Sequence, residues 1–236
     1  MLRRYSSVTL ALLAACVAFG CNRDKARADA GELSPTTMPV VEQTARVNEH
    51  SAADLPAPRP NESVAVFAGG CFWCMEPAFE KLPGVSSVVS GYTGSKVRNP
   101  TYEEVSAGRT GHTEAIRVVF DPKATSYAKL LETFWHNVDP TDAGGQFCDR
   151  GTQYRPGIFV DGAAQKSAAM ASKQALVDGK RLPSPIVVEI TELDVFYAAE
   201  RYHQDYYKTN PKRYYSYREG CGRDRRLRAL WGAAAH

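Results

Sequence analysis

The chain has no apolar run long enough to cross a bilayer in the ordinary way. The stretch from Val8 to Gly20 falls short of the ~20 residues that a spanning helix needs. It has no strong charge imbalance either. A net charge of +3 over 236 residues does not mark a dedicated binder of nucleic acid or another polyanion. No internal repeat is visible, so a solenoid is excluded. Apolar content of 44% and charged content of 23% are those of an ordinary soluble domain, and the length suits one substantial domain with extensions. The basic residues Arg223, Arg225, Arg226 and Arg228 sit among Leu227, Leu230 and Trp231. They read as a solvated helix face whose apolar side packs on the domain.

What is present begins at the N-terminus. Arg3 and Arg4 precede the apolar run, and polar sequence starts at Asn22. This is the pattern of an export signal over residues 1–21. Two small-residue boxes precede a cysteine, Leu13-Ala14-Ala15-Cys16 and Ala18-Phe19-Gly20-Cys21. Either cysteine is a candidate for lipid attachment, with Cys21 favoured by its position; a plain cleavage near Ala28-Asp29-Ala30 is the alternative. The expected location is therefore periplasmic, or at a membrane through a lipid anchor. Residues 22–62 carry Pro35, Pro39, Pro56, Pro58 and Pro60 without periodicity, and read as a disordered tether.

The folded domain is expected over residues 63–236. Strands are predicted at 64–68, 85–92, 113–120, 158–161 and 186–190, the last of them a core strand. Helices are predicted at 76–82, 126–137 and 163–178. Strand, helix, strand, strand, helix, strand is the order of a split β-α-β, ferredoxin-like two-layer sandwich, so the class is α+β. Residues 138–157 show no period. A loop of about this length inside a compact domain is usually functional, and Cys148, Asp149, Gln153, Tyr154 and Arg155 make it chemically loaded.

Four cysteines lie in the domain: Cys71, Cys74, Cys148 and Cys221. Two structural disulfides are the ordinary expectation for an exported domain, although a domain of this size does not need staples. A zinc site is disfavoured by the bulky Phe72 and Trp73 between Cys71 and Cys74, and by the lack of a second close pair. The third reading is redox chemistry. Cys71 follows a strand and two glycines and precedes a helix, whose N-terminus favours an anion. The missing side chains of Gly69 and Gly70 are expected to let a substrate approach. A lone C-x-x-C fits a disulfide oxidoreductase as well as a sulfoxide or peroxide enzyme, but no downstream segment offers a cis-proline loop of the thioredoxin kind.

Six motifs in order narrow the choice. They are Gly70-Cys71-Phe72-Trp73, Gly91-Tyr92-Thr93-Gly94, Asn99-Pro100-Thr101-Tyr102, Gly108-Arg109-Thr110-Gly111-His112-Thr113-Glu114-Ala115, Asp149-Arg150-Gly151-Thr152-Gln153-Tyr154-Arg155 and Tyr202-His203-Gln204. Any one alone is weak. Together, from about Val64 to Gly232, they resemble the A-type peptide methionine sulfoxide reductases. The resemblance implies reduction of methionine S-sulfoxide, free or in proteins, without metal or organic cofactor. A sulfoxide sulfur becomes electrophilic only when its oxygen is protonated or strongly hydrogen-bonded, so a thiolate and an acid are both required. By resemblance Cys71 is the nucleophile and Glu114 the proton donor. Tyr92 and Tyr154 are hydroxyl donors to the developing oxyanion. Phe72 and Trp73 form the wall that grips the S-methyl group, and Asp149 helps to fix the substrate. His203 is read as a structural hydrogen-bonder.

Attack leaves Cys71 as a sulfenic acid, which a second thiol condenses to a disulfide that an external dithiol must open. Family members often carry the resolving cysteine in a glycine-rich tail, and Cys221 between Gly220 and Gly222 is the first candidate. The helical-looking stretch after it departs from that pattern. Cys148 ranks second, and Cys74 last, since helical geometry is expected to turn its side chain from Cys71; a relay through more than one of them is the alternative. The implied reductant is a thioredoxin-like protein on the exported side, and a monomer is expected.

Overall fold

The computed structural model describes residues 53–235. The export signal, Cys16, Cys21 and most of the tether lie outside the described residues. In chain order the elements are β1 (Ser63–Ala68), α1 (Phe72–Glu80), β2 (Val85–Thr93), α2 (Tyr102–Ser106), β3 (Thr113–Phe120), α3 (Tyr127–His136), β4 (Gly145–Gln146), β5 (Asp149–Arg150), β6 (Gly157–Val160), α4 (Gly162–Asp178), β7 (Glu189–Glu192), β8 (Tyr197–Ala198), α5 (Tyr206–Thr209), α6 (Pro211–Gly220) and α7 (Arg223–Trp231). The α+β class holds. The main sheet has the order β7-β6-β1-β3-β2-β8. β3 lies antiparallel between β1 and β2, and β6 pairs antiparallel with the other edge of β1. Thus α1 carries the chain from β1 to its parallel partner β2 across one intervening strand. The short outer strands β7 and β8 extend the sheet to six.

Both faces of the sheet are covered, and every residue of β3 is buried. One face holds the larger apolar cluster, with Phe67, Phe79, Ile116, Val118, Leu130, Phe134 and Ile158 packed beneath α1, α3 and α4. The other holds Val66, Ala68, Val89, Ala115, Phe159 and Phe196. α3 starts where Ser126 accepts a hydrogen bond from the Lys129 N–H at 3.1 Å, an ordinary N-cap. Pro77 lies inside α1 rather than at its start, because the helix begins four residues earlier than the apolar period suggests.

Three expectations are corrected. The last core strand predicted at 186–190 is instead β7, shifted to 189–192, at the edge of the sheet and parallel to β6. Its side chains are mostly exposed, and the buried Val188 before it supplied the apolar signal. Arg223 is not solvated. It is 1% exposed, and its guanidinium donates to the Asn137 carbonyl at 2.6 Å and the Gly69 carbonyl at 3.2 Å. The other arginines of α7 do face outward, while Leu227 and Trp231 pack on the domain as read. Residues 53–62 have no helix or strand, yet they are tied to the domain: the Ala53 N–H donates to Ala199 O at 2.9 Å, and Arg117 reaches Pro56 O at 2.9 Å.

Candidate active site

β1 ends at Ala68, and Gly69-Gly70 turns the chain into α1 with Cys71 as its N-cap. Gly70 adopts φ +78°, which favours glycine. The space that a side chain would fill at these glycines is already occupied, by Met75 and Val138 at Gly69 and by Gln146 at Gly70. The two glycines therefore serve close packing of α1 and the 138–157 loop, not substrate approach. The N-cap placement leaves Cys71 in extended backbone at φ −53°, ψ 119°, with its thiol beside the first turn of the helix.

Glu114 lies near the start of β3, opposite Tyr92 in β2. It is 2% exposed and accepts a hydrogen bond from the Phe72 N–H at 3.0 Å, so the structure brings it against the cysteine turn. Burial raises its pKa to about 8, despite that hydrogen bond, and the charges of Asp149 and Cys74 push it the same way. A carboxyl group in this position keeps its proton at neutral pH.

Cys71 and Cys74 are both free and buried, and their thiols share a hydrogen bond. Burial pushes Cys71 up, reinforced by Cys74 and Glu114. Cys74 is drawn down to about 7, first by the hydrogen bond from Cys71 and, against its own burial, by Arg223 and Arg218. The two thiols thus titrate as a unit, in which burial holds Cys71 up and the hydrogen bond and nearby arginines draw Cys74 down. The helix N-terminus does not by itself lower Cys71.

The tyrosines divide differently from the sequence assignment. Tyr92 is fully buried, and its hydroxyl donates to Glu200 at 2.8 Å. The other oxygen of Glu200 accepts from the Tyr102 N–H at 2.9 Å. Tyr92 therefore braces the segment that carries Tyr102. Tyr102 is raised to about 12, by burial first and then by the charges of Glu114 and Cys71. Tyr154 is raised by burial and then by Glu114, Tyr102, Asp149 and Cys71. Tyr102 and Tyr154 are the pair placed around the acid and the thiols. Tyr102 was overlooked in the sequence although it closes the Asn99-Pro100-Thr101-Tyr102 motif.

Phe72 is buried against Tyr92 and His203. Trp73 stacks on Tyr206 with centroids 3.7 Å apart, and its indole N–H donates to His203 Nδ1 at 3.1 Å. Burial holds His203 down at about 3, so the imidazole is neutral and acts as the acceptor that fixes Trp73. Trp73, Tyr102, Tyr202, His203 and Tyr206 line a pocket of about 430 Å³. A larger one, about 480 Å³ between α1, α3 and α6, contains none of the residues assigned above.

The 138–157 loop is held by its own polar contacts. Gln146 bonds both the N–H and the carbonyl of Asp139 at 2.8 Å, Asp139 accepts from Arg226 at 2.7 Å, and Gln153 reaches Ser106 O at 2.8 Å. Phe147 takes φ +56°, costly for an aromatic residue, under the Arg223 guanidinium 4.6 Å from its ring. Next to it Cys148 is disulfide-bonded to Cys221. Asp149 lies 3.8 Å from the Cys148 sulfur and 4.0 Å from the Cys221 sulfur, accepts from the Tyr217 hydroxyl, and is raised by burial. The two resolving candidates are thus partners of each other. Cys148, Asp149 and Cys221 also form one of two clusters with metal-ligand spacing among the described residues; the other is Glu76, Glu80 and Asp205. In the second, Lys208 already bonds Glu80 at 2.8 Å and Asp205 at 2.6 Å.

Comparison with known proteins agrees with this geometry. A family model described as "Peptide methionine sulfoxide reductase" matches residues 63–235. "Peptide methionine sulfoxide reductase MsrA" of Bacillus subtilis (strain 168) is 52% identical over 172 residues, covering 73% of this chain and 97% of that protein. The protein of the same name from Ligilactobacillus salivarius is 54% identical over 154 residues, covering 65% and 90%. Among solved structures, Mxr1 of Saccharomyces cerevisiae in reduced form matches with a TM-score of 0.62 and 29% identity, covering 66% of this chain and 90% of that one. Methionine sulfoxide reductase A of Corynebacterium diphtheriae gives 0.59 and 32%, covering 65% and 77%. The chain belongs to the peptide methionine sulfoxide reductase family.

Proposed function

We propose that this chain reduces the S epimer of methionine sulfoxide, free or within proteins, to methionine. The observation that carries the reading is the buried Glu114 carboxyl bonded to the backbone N–H beside Cys71, where burial raises its pKa. The Cys71 thiolate attacks the sulfoxide sulfur while Glu114 gives its proton to the oxygen. Tyr102 and Tyr154 donate hydrogen bonds to that oxygen as its charge grows. The half-buried Trp73 forms the wall for the S-methyl group, with Phe72 packed beneath. Asp149 borders the same site and helps to orient the bound substrate. The protonated oxygen leaves as water, with Cys71 joined to the methionine sulfur as a sulfonium; water then attacks the Cys71 sulfur, the S–S bond breaks, methionine leaves with the electron pair, and Cys71 is a sulfenic acid. An internal thiol converts the sulfenic acid to a disulfide with loss of water. A thioredoxin-like dithiol then reduces the disulfide, and the exposed Cys148 offers it an accessible sulfur.

The test is methionine formation from a methyl sulfoxide with dithiothreitol as electron source. Cys71→Ser should abolish it, and Glu114→Gln should slow the chemical step by roughly 10²–10³-fold with the fold intact. Full activity in Cys71→Ser would dispose of the proposal. Export, action outside the cytoplasm, and lipidation at Cys21 remain part of the proposal on the strength of Arg3, Arg4 and the Val8–Gly20 run. Fractionation with mass analysis of the N-terminus tests them: an unprocessed chain in the cytosol contradicts export.

A further inference from the structure

Cys74 has no redox role in the account above, yet it is the thiol on the same turn as the nucleophile and shifts with it. It was ranked last as a resolving group because two side chains on one helix diverge. That objection does not hold. Cys71 is the N-cap and lies outside the helical backbone, and the Cys74 N–H donates to the Cys71 carbonyl at 3.0 Å. The turn therefore brings the two sulfurs together. Disulfides across such a turn at a helix N-terminus are within reach of ordinary disulfide geometry.

We propose that Cys74 is the first resolving thiol, and that the Cys148–Cys221 pair is a downstream store from which the external reductant recharges the site. The inference rests on the function proposed above. In the first step the Cys74 sulfur attacks the sulfur of the Cys71 sulfenic acid, forming the Cys71–Cys74 disulfide and releasing the hydroxyl with a proton as water. In the second, the reduced Cys221 thiolate attacks that disulfide to give a mixed disulfide. Cys148 then displaces it, leaving Cys71 and Cys74 as thiols and Cys148–Cys221 as the disulfide. The two electrons that reduced the sulfoxide have thus been drawn from the outer pair, which an external dithiol reduces again.

Three observations support this order. Both inner cysteines are buried while Cys148 is exposed, so a protein dithiol meets the outer pair first. The thiol drawn down toward neutrality is Cys74, and an attacking thiol works best with a pKa near ambient pH. In the outer pair, the Cys148 N–H points at the Cys221 sulfur at 3.1 Å, a donor that favours Cys221 as the attacking thiolate, and Asp149 lies against both sulfurs.

The experiment uses fully reduced protein and excess methionine sulfoxide with no reductant. It reads methionine released, dimedone-trapped sulfenic acid, and the disulfides by peptide mass spectrometry. In the unaltered chain both disulfides, Cys71–Cys74 and Cys148–Cys221, should form, with about two methionines released per chain. In the Cys148→Ser/Cys221→Ser double variant, about one methionine should be released, with Cys71 joined to Cys74 and no dimedone adduct. Adding Cys74→Ser should replace the Cys71–Cys74 disulfide by a dimedone-trapped Cys71 sulfenic acid in the protein that has released methionine. Methionine release with a dimedone adduct on Cys71 and a free Cys74 in the double variant would overturn the assignment and leave the reductase reading intact. Absence of methionine from every form would remove the reductase reading itself.

Discussion

The two cysteine pairs of this domain contrast in almost every physical respect. Cys71 and Cys74 are free, buried and three residues apart, held on one turn by the N-cap of α1. Cys148 and Cys221 are bonded, reach the surface, and are joined across 73 residues of sequence. The inner pair sits beside a carboxyl that retains its proton near neutrality, in a cluster where adding charge is unfavourable. The outer pair sits at the junction of a polar loop and the α6–α7 turn. The division teaches that oxygen-atom chemistry and electron entry make opposite demands. Reaction with a sulfoxide gains from exclusion of water, whereas exchange with a protein dithiol needs an open sulfur.

The contrast yields predictions of decreasing size. Cys221→Ser should reduce steady-state turnover driven by a protein dithiol by roughly 100-fold, because only the buried pair is left to accept electrons. The first turnover should stay near the unaltered rate. A rapid-quench burst compared with the steady state separates the two; equal loss in both would erase the division between inner and outer pairs. Tyr102→Phe should slow the chemical step by roughly 10-fold through loss of one oxyanion donor. Tyr92→Phe should act chiefly on stability, at about 1–2 kcal/mol for the lost charge-assisted bond to Glu200. Chemical denaturation and single-turnover rates on the two variants check this; the reverse pattern would restore the assignment of Tyr92 from the sequence.

A pH trend in stability follows from the same burial. Burial raises both Glu114 and Glu76 to about 8 from 4.5, so the folded chain binds protons that the unfolded chain releases. Their contribution is fully present below about pH 4.5 and is lost as pH rises through about 8. The urea midpoint should fall between pH 5 and 8.5, and Glu76→Gln should flatten part of that slope. An unchanged slope in Glu76→Gln would show that this carboxyl ionises normally.

Much of this was legible beforehand, for reasons specific to each element. The alternation at 113–120 and the period at 126–137 are signals that burial on one or both faces imposes directly, and β3 and α3 follow them. Cys71 was legible because strand, two glycines and helix restrict what the turn can be. Glu114 was legible as a residue but not as an acid, since its proton depends on burial that no local pattern encodes. Tyr92 and Tyr102 both stand in motifs, and only the path of Glu200, more than a hundred residues away in sequence from Tyr92, tells which hydroxyl is engaged. Arg223 could have been found: it shares the 223, 227, 231 stripe with Leu227 and Trp231, a spacing that puts it on the buried face. Tyr217, whose hydroxyl bonds Asp149, carried no signal. The pairing of Cys148 with Cys221 was hidden as well, since four cysteines allow three connectivities.

The account stands most directly on the protonation of Glu114. Carbon-13 NMR of side-chain carboxyls, comparing the unaltered chain with Glu114→Gln across pH 4 to 10, isolates that one group. A resonance that titrates near 8 and disappears in the variant is the predicted result. A Glu114 signal that completes its titration below pH 6 would mean the carboxyl is an anion in the working enzyme, and the proton for the sulfoxide oxygen would have to come from elsewhere.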